Sequence, residues 1–368
     1  MSMKVPFNAL KPGYEKYKDE YINAAIRVLD SGWYVLGEEL QSFESEFAAW
    51  LGVRYCVGLN SGLDALTLAF RALGVGSGDE VIVPANTYIA SVLGVTENGA
   101  RPVFVEPDEY YNIDPEKIEE AITKNTKAIL VVHLYGQPCK MDRIMQIADL
   151  HNIPVVEDCA QSHGAAFKGK MAGTFGKIAC FSFFPTKNLG AFGDGGAVAT
   201  DDKDIADKVR IYRNYGSEKK YYNKVKGVNS RLDEIQAALL KVKLSHLDEL
   251  NSERDGIAQK YLEGIKNPLI ALPKILPGSK HVWHLFVVQT EYRDQLAEYL
   301  SSNGIGTQIH YPVPPHLSEA YSEMGYQRGS LPVTESQADT ILSLPLYNKM
   351  DDRDVLYVIN EINRWERA

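Results

Sequence analysis

An α/β fold with a mostly parallel sheet covered by helices, plus a smaller C-terminal α+β domain, is predicted by three features of the sequence. Seven short runs of β-branched and apolar residues recur through the first two-thirds of the chain. Amphipathic helical stretches separate them, and near-continuous apolar strands between helices imply a sheet buried on both faces. After Ser230 the pattern turns strongly helical, which marks the approach to a second domain.

The strands are read at YCVGL (55–59), EVIVPA (80–85), PVFVE (102–106), AILVVHL (128–134), PVVEDC (154–159), IACFSFF (178–184) and GAVAT (196–200). Helical periodicity covers Leu63–Leu73, Pro115–Ile122 and Met141–His151. The run SRLDEIQAALLKVKLSHLDELNSERDGIAQKYLEGI, from Ser230, reads as a long connecting helix broken near Ser252 or Gly256. The domain boundary is placed near residue 250, giving units 1–249 and 250–368. The second unit holds a strand in HLFVVQT, a helix over 292–302, a GTQIHYPVPPHL loop and a terminal helix.

Composition limits the function. The chain has 368 residues, enough for one large and one small domain. A formal charge of −9 with no Lys/Arg-dense face argues against nucleic acid as a partner, while leaving room for a local anion site. The cysteines Cys56, Cys139, Cys159 and Cys180 show no C-x-x-C spacing, so buried reduced thiols are expected rather than a metal site or disulfides. MSMKVPFNALKPGYEKY lacks an apolar leader segment, and no later run is long enough to cross a bilayer. A soluble, cytoplasmic protein is expected.

Four features carry chemistry. LNSGLDALTLA (59–69) sets Asn60-Ser61-Gly62 between a strand and a helix, where free N–H groups can bind phosphate. Ser61 can equally cap that helix with Asp64 as its partner, and both roles are compatible. IPVVEDCAQSHGA (153–165) carries Glu157-Asp158 at the C-terminal end of a strand, where ligands sit in α/β sheets. A carboxylate there can bind a metal, fix a histidine, pair with a protonated heterocycle or accept backbone N–H groups; no set of metal-spaced ligands accompanies it. CFSFFPTKNLGAFGDGG (180–196) places Lys187 among Phe181, Phe183, Phe184 and Phe192. Desolvation there lowers the amine pKa and makes it a nucleophile suited to an imine with an aldehyde cofactor. Ser182 offers a hydroxyl to a phosphate. In ANTYIASVLGV (85–95), Tyr88 follows a strand and can stack on a planar ring. A phosphate cup, a stacking ring, a carboxylate and a lysine are together the parts a pyridoxal 5′-phosphate (PLP) enzyme needs.

In SGWYVLG (31–37), EDCAQSHGA, SFFPTKNLGAFGDGG, GVNSRLDEIQAA (227–238) and IHYPVPPH (309–316), the chain resembles the sugar-nucleotide aminotransferases of the DegT/StrS type, in the aspartate aminotransferase superfamily. The resemblance covers nearly the whole chain and implies the PLP-dependent transferase fold of type I. It implies that Lys187 bonds PLP, that Asp158 pairs with the pyridine nitrogen and that Gln161 lies by the ring. It further implies that Ser61, Gly62 and Ser182 hold the phosphate, with Asn229 arriving from a second subunit, and that Tyr88 stacks on the ring. Family members are homodimers with shared sites. A relative with histidine at the lysine position performs a dehydration instead, and Lys187 favours transamination from L-glutamate, released as 2-oxoglutarate, to a keto-sugar nucleotide.

The GWYVLG segment with Tyr34, the SHGA segment with His163, and IHYPVPPH with His310 and Tyr311 look most like members acting on dTDP-linked 3-keto-6-deoxyhexoses. NYGSEKKYYNKVKG (214–227) resembles the loop that reaches the partner's nucleotide. There Lys219, Lys220 or Lys224 would meet the diphosphate and Tyr221 or Tyr222 the sugar or base, unless the loop is simply a solvated basic one. Arg231 either anchors a carboxylate or fixes the loop around Asn229. The competing readings are a 4-keto-sugar aminotransferase, a PLP lyase or desulfurase, and a non-catalytic sugar-nucleotide-binding regulator.

Overall fold

The computed structural model describes residues 4–367. Its central sheet has seven strands: β1 Tyr55–Leu59, β2 Glu80–Pro84, β3 Arg101–Val105, β4 Thr126–Val132, β5 Val155–Asp158, β6 Ile178–Ser182 and β7 Gly196–Thr200. Their spatial order is β1-β7-β6-β5-β4-β2-β3. Each strand coincides with an apolar run read from the sequence, to within a residue or two at the ends. Strand β7 runs antiparallel to both its neighbours, and the other neighbouring pairs are parallel. The connection from β6 to β7 has no helix to serve as a crossover, so the chain must return beside β6 in the opposite direction.

Helices Gly62–Ala72, Ile89–Thr96 and Met141–His151 cover the sheet, and the apolar cores lie between them and the strands. The register aligns Val132, Asp158 and Cys180 across β4, β5 and β6. Those strands end together, and their C-terminal ends open into a common cleft.

The connecting helix differs from the sequence reading. It consists of Glu234–Ser245 and Leu247–Gly264, and the break falls at His246 rather than at Ser252 or Gly256, which both lie within the second segment. His246 is held off the helical path by its ring, which stacks on Tyr17 at 3.8 Å and pairs with Glu20 at 3.0 Å. Gly256 costs a helix only about 1 kcal/mol relative to alanine, too little to break one whose other face is packed.

A separate apolar cluster gathers Ile257, Trp283, Phe286, Leu342, Val355 and Trp365 with Val5 from the N-terminal segment. Around it lie the antiparallel strands Phe286–Gln289 and Ile341–Leu344 and the helices Arg293–Ser302 and Asp352–Arg364. Val5 is bridged to Ile305, so the N-terminal segment is bound to the C-terminal part before the chain enters the large one. Among the described residues, no helix is long and apolar enough to cross a membrane.

Candidate active site

The cleft at the strand ends has a volume of about 700 Å³ and is lined by Ser61, Gly62, Tyr88, Asp158, Gln161, Ser182, Lys187, His310 and Tyr311 among others. Nine of the sequence-derived candidates therefore meet in one place. Helix Gly62–Ala72 supplies one wall through its N-terminus. Ser61 accepts the Asp64 N–H at 3.1 Å and caps that helix, as the residue types suggest. A Cβ at Gly62 would lie 2.6 Å from the Ser182 Cβ, so only glycine lets the helix start approach β6 this closely. The result is a cradle of free N–H groups and two hydroxyls, suited to a phosphate.

Adjacent carboxylates on β5 point to different surroundings, as alternation along a strand requires. Glu157 is fully buried and accepts the N–H groups of Gly173, Phe175 and Gly176 at 2.6–2.7 Å, with His133 Nε2 at 2.9 Å. It fixes a histidine and a turn. The His133–Glu157–Cys159 group offers three potential metal ligands, but the Glu157 oxygens are already occupied by backbone donors. Asp158 instead faces the cleft, where Ser91 Oγ donates to its Oδ2 at 2.8 Å and the Ala160 N–H to its Oδ1 at 3.0 Å. Burial raises the Asp158 pKa above the usual carboxylate value, against the opposing pull of Ala160, Ser91 and Lys187.

Lys187 lies on the turn-rich loop between β6 and β7. Burial lowers its pKa to about 8, with the Asp158 charge drawing it partly back. Its amine makes no hydrogen bond to protein among the described residues and opens to the cleft. A buried carboxylate without a contacting cation and a half-buried amine without a contacting anion fit a ligand that is cationic at one end and reactive toward amines at the other. PLP has both properties, and the cradle fits its phosphate.

Gln161 is fixed from both ends: its Oε1 accepts the Tyr135 N–H at 2.6 Å and its Nε2 donates to Tyr311 Oη at 3.2 Å. Tyr88 is 53 % exposed at the mouth, its ring 5.1 Å from that of Tyr311. His310 Nδ1 lies 2.9 Å from Ser343 Oγ, and burial brings the His310 pKa down to about 4.

His163 departs from the sequence reading. It is fully buried, packs on Phe181 and Phe183 at ring distances of 5.5 and 5.9 Å and does not line the cleft. Burial lowers its pKa to about 3. The turn after β5 directs this ring into the apolar layer behind the site, so it is not a substrate contact here.

Tyr34, Lys219, Tyr221, Asn229 and Arg231 all lie outside the cleft of their own chain. Tyr221 is 85 % exposed on a short hairpin formed by Ser217–Lys219 and Tyr222–Asn223. Lys219 and Lys220 sit over the Tyr222 and Tyr221 rings at 5.4 and 5.2 Å, and Lys224 pairs with Glu218. Arg231 donates to Asn214 Oδ1 at 3.1 Å and covers the Tyr215 ring, so within one chain it fixes the loop. Ser91, His284, Gln308 and Thr186 also line the cleft and were missed from the sequence. A serine within the apolar helix IASVLGVT is the one signal among them, since a buried hydroxyl needs a partner.

Comparison with known proteins agrees with this geometry. The model of the DegT/DnrJ/EryC1/StrS aminotransferase family matches residues 15–363. The chain is 53 % identical over 362 residues to the dTDP-3-amino-3,6-dideoxy-alpha-D-galactopyranose transaminase of Aneurinibacillus thermoaerophilus, covering 98 % of this chain and 99 % of that one. It is 51 % identical over 364 residues to the dTDP-3-amino-3,4,6-trideoxy-alpha-D-glucose transaminase of Streptomyces venezuelae, covering 98 % and 96 %. The crystal structure of S. venezuelae DesV in complex with a ketimine intermediate superposes with a TM-score of 0.97 at 51 % identity, covering 99 % of each chain. The chain belongs to the DegT/DnrJ/EryC1/StrS family and is a PLP-dependent aminotransferase.

Proposed function

We propose that this aminotransferase moves the amino group of L-glutamate to a dTDP-3-keto-6-deoxyhexose, giving a dTDP-3-amino-3,6-dideoxyhexose, and that it does so as a homodimer with shared active sites. The observation that carries the chemistry is the placement of Lys187 and Asp158 in one cleft, each close enough to shift the other's ionisation. The sugar assignment is supported by the two transaminases above, both named for dTDP-3-amino sugars.

Bound in the cleft, PLP would supply an electron sink and a carbon able to carry the amino group from donor to acceptor. Ser61, Gly62 and Ser182 would hold its phosphate, completed by Asn229 of the partner subunit. Asp158 would keep the pyridine nitrogen protonated, and its buried carboxylate would in turn gain the cation it lacks. Tyr88 would cover one ring face, and Gln161 would be held beside it by its two bonds. Lys187 would take the proton from the α-carbon of glutamate and hold it at its Nζ, and in the second half-reaction the same amine would deliver a proton toward the sugar carbon. One amine serving both halves gives ping-pong kinetics, with 2-oxoglutarate leaving before the sugar nucleotide enters.

Two features support the dimer. Leu29, Trp33, Tyr34, Phe184 and Phe192 expose 47–64 % of their surface, large apolar side chains of the kind an interface between copies covers. The substrate candidates Tyr34, Lys219, Tyr221 and Arg231 also lie away from their own chain's cleft, as residues serving a partner's site would. We further propose the division into 1–249 and 250–368, supported by the separate C-terminal core, with Val5 as the segment that crosses back. The cytoplasm is the proposed location, in keeping with four free, buried cysteines.

The test is product analysis. Wild-type protein with PLP, L-glutamate and a panel of 3-keto and 4-keto dTDP-, UDP- and GDP-sugars should aminate the dTDP-3-keto-6-deoxyhexose at C3, read by NMR and mass spectrometry. An amine at C4, or turnover confined to UDP- or GDP-sugars, would overturn the substrate assignment.

A further inference from the structure

Beside Tyr88, the stretch ANTYIASVLGV carries two hydroxyls one helical turn apart, on Thr87 and Ser91. Thr87 precedes the N-cap residue Tyr88, and Ser91 lies in the first turn of helix Ile89–Thr96, its N–H bound to the Tyr88 carbonyl at 3.0 Å. Both side chains are almost wholly buried, at 2 % and 1 % exposure, so each hydroxyl needs a partner inside the protein. Their oxygens lie 2.7 Å apart, and Ser91 Oγ lies 2.8 Å from Asp158 Oδ2. Among the described residues neither hydroxyl has another partner, so the three side chains form an unbranched line that ends on the cleft carboxylate.

Counting protons fixes the direction of that line. Each hydroxyl has one proton to give, and an ionised carboxylate only accepts. Ser91 therefore gives its proton to Asp158. With that proton committed, Ser91 can only accept from Thr87, which makes Thr87 the donor of the first bond. At the other carboxylate oxygen, Oδ1 accepts the Ala160 N–H at 3.0 Å, and a backbone amide has no second role to turn to. Both oxygens of Asp158 thus face protein donors, and the lone pairs left over serve the cleft.

The line satisfies every proton only while Asp158 is ionised. A proton on Oδ2 would turn both hydroxyls round, and the Thr87 proton would then have no acceptor among the described residues, which is costly for a buried donor. A proton on Oδ1 would leave the Ala160 and Ser91 donors facing a neutral group, and bonds to a charge are about twice as strong. A hydroxyl that accepts at its oxygen also becomes a stronger donor, so the Thr87 bond strengthens the Ser91 bond. We propose that Thr87 is a positioning residue for Asp158: acting through Ser91, its hydroxyl holds the carboxylate in the ionised form that a cationic cofactor ring requires.

The charged and titratable groups facing Asp158 are Lys187, His133, Tyr311, Cys159 and Cys180. Burial opposes the ionised form, while the Ala160 and Ser91 bonds and the charges of Lys187 and His133 favour it. Among the described residues none of the five groups bonds to the Thr87 or Ser91 hydroxyl, so a change at Thr87 reaches Asp158 along the hydroxyl line. The assignment rests on the proposed function, in which Asp158 meets the protonated pyridine nitrogen.

Three substitutions separate this role from a structural one. Thr87→Val keeps the shape and removes the hydroxyl, Thr87→Ser retains a hydroxyl, and Ser91→Ala cuts the line next to Asp158. In the full chain before loading with PLP, difference infrared spectroscopy follows the carboxyl C=O band of Asp158, assigned by its loss in Asp158→Asn. We expect T87V to raise the midpoint of that band by about half a pH unit and S91A by about one. T87S should titrate with wild type, and the double variant T87V/S91A with S91A alone, because Thr87 acts only through Ser91. PLP affinity, by equilibrium dialysis, should fall about threefold in T87V and recover in T87S. In wild-type crystals exchanged into D2O, neutron diffraction should find the Thr87 deuterium pointing at Ser91 and the Ser91 deuterium at Asp158. A T87V midpoint equal to wild type, a double variant shifted by the sum of the single changes, or a Ser91 deuterium pointing at Thr87 overturns the assignment. If T87V does not fold, Thr87→Ala replaces it in the same comparison. The T87V shift in a protein whose wild type transfers no amino group refutes the proposed function and leaves this assignment standing.

Discussion

Ser91 Oγ donates to Asp158 Oδ2 at 2.8 Å from the first turn of helix Ile89–Thr96, and its other neighbour Thr87 Oγ1 lies 2.7 Å away. That bond opposes burial in keeping Asp158 ionised and fixes which lone pairs remain for a ligand in the cleft. Ser91→Ala should raise the Asp158 pKa further and weaken PLP binding about tenfold, since hydrogen bonds to charged groups contribute about 1.5–3 kcal/mol. Equilibrium dialysis against PLP at pH 7.5 measures this. Unchanged affinity would remove Ser91 from the account.

Glu157 and Asp158 are neighbours with opposite duties. Glu157→Ala strands three buried backbone N–H groups and His133, and should cost about 3–5 kcal/mol of stability. Asp158→Ala relieves a burial penalty, so the cofactor-free chain should stay within about 1 kcal/mol of wild type while transamination is lost. Urea denaturation and a glutamate half-reaction assay on the two variants check the contrast.

Gly62→Ala should displace the start of helix Gly62–Ala72 from β6. The added carbon would sit 2.6 Å from the Ser182 Cβ, and backbone on both sides leaves nothing flexible to yield. Overpacking of this kind costs about 1–3 kcal/mol, and the phosphate cradle opens with it. Thermal melts with and without PLP should show a lower Tm and a smaller gain on loading.

Burial holds the Lys187 pKa down at about 8, below the ordinary lysine value of 10.5. A lysine whose folded pKa is depressed binds fewer protons in the native than in the unfolded state between those two values. Stability in the cofactor-free chain therefore rises with pH across roughly 8 to 10.5 through this group. Lys187→Met removes this titration, so its stabilising effect should be about 2 kcal/mol larger at pH 7.5 than at pH 10. Chemical denaturation of both proteins at the two pH values gives the difference.

Much of this was legible in the sequence because it is local. Strand β5 is a short apolar run ending in two acids, and Lys187 stands out as one cation among four phenylalanines. The antiparallel course of β7 could also be read, since thirteen residues with no helical pattern separate it from β6. Long-range pairing was not legible. The Asn188–His284 bond joins residues 96 positions apart, and the stacking of His246 on Tyr17 moved the helix break away from the residues with weak helix propensity. His163 was misplaced because its motif fixes the turn but not which side of the sheet receives the ring.

The central claim is a covalent bond between the Lys187 amine and PLP. Reduction of the PLP-loaded wild-type protein with borohydride, followed by peptide mass spectrometry, should place one phosphopyridoxyl group on the peptide bearing Lys187 and nowhere else, with none in Lys187→Ala. A modified peptide without Lys187, or the same yield from the alanine variant, would contradict the account.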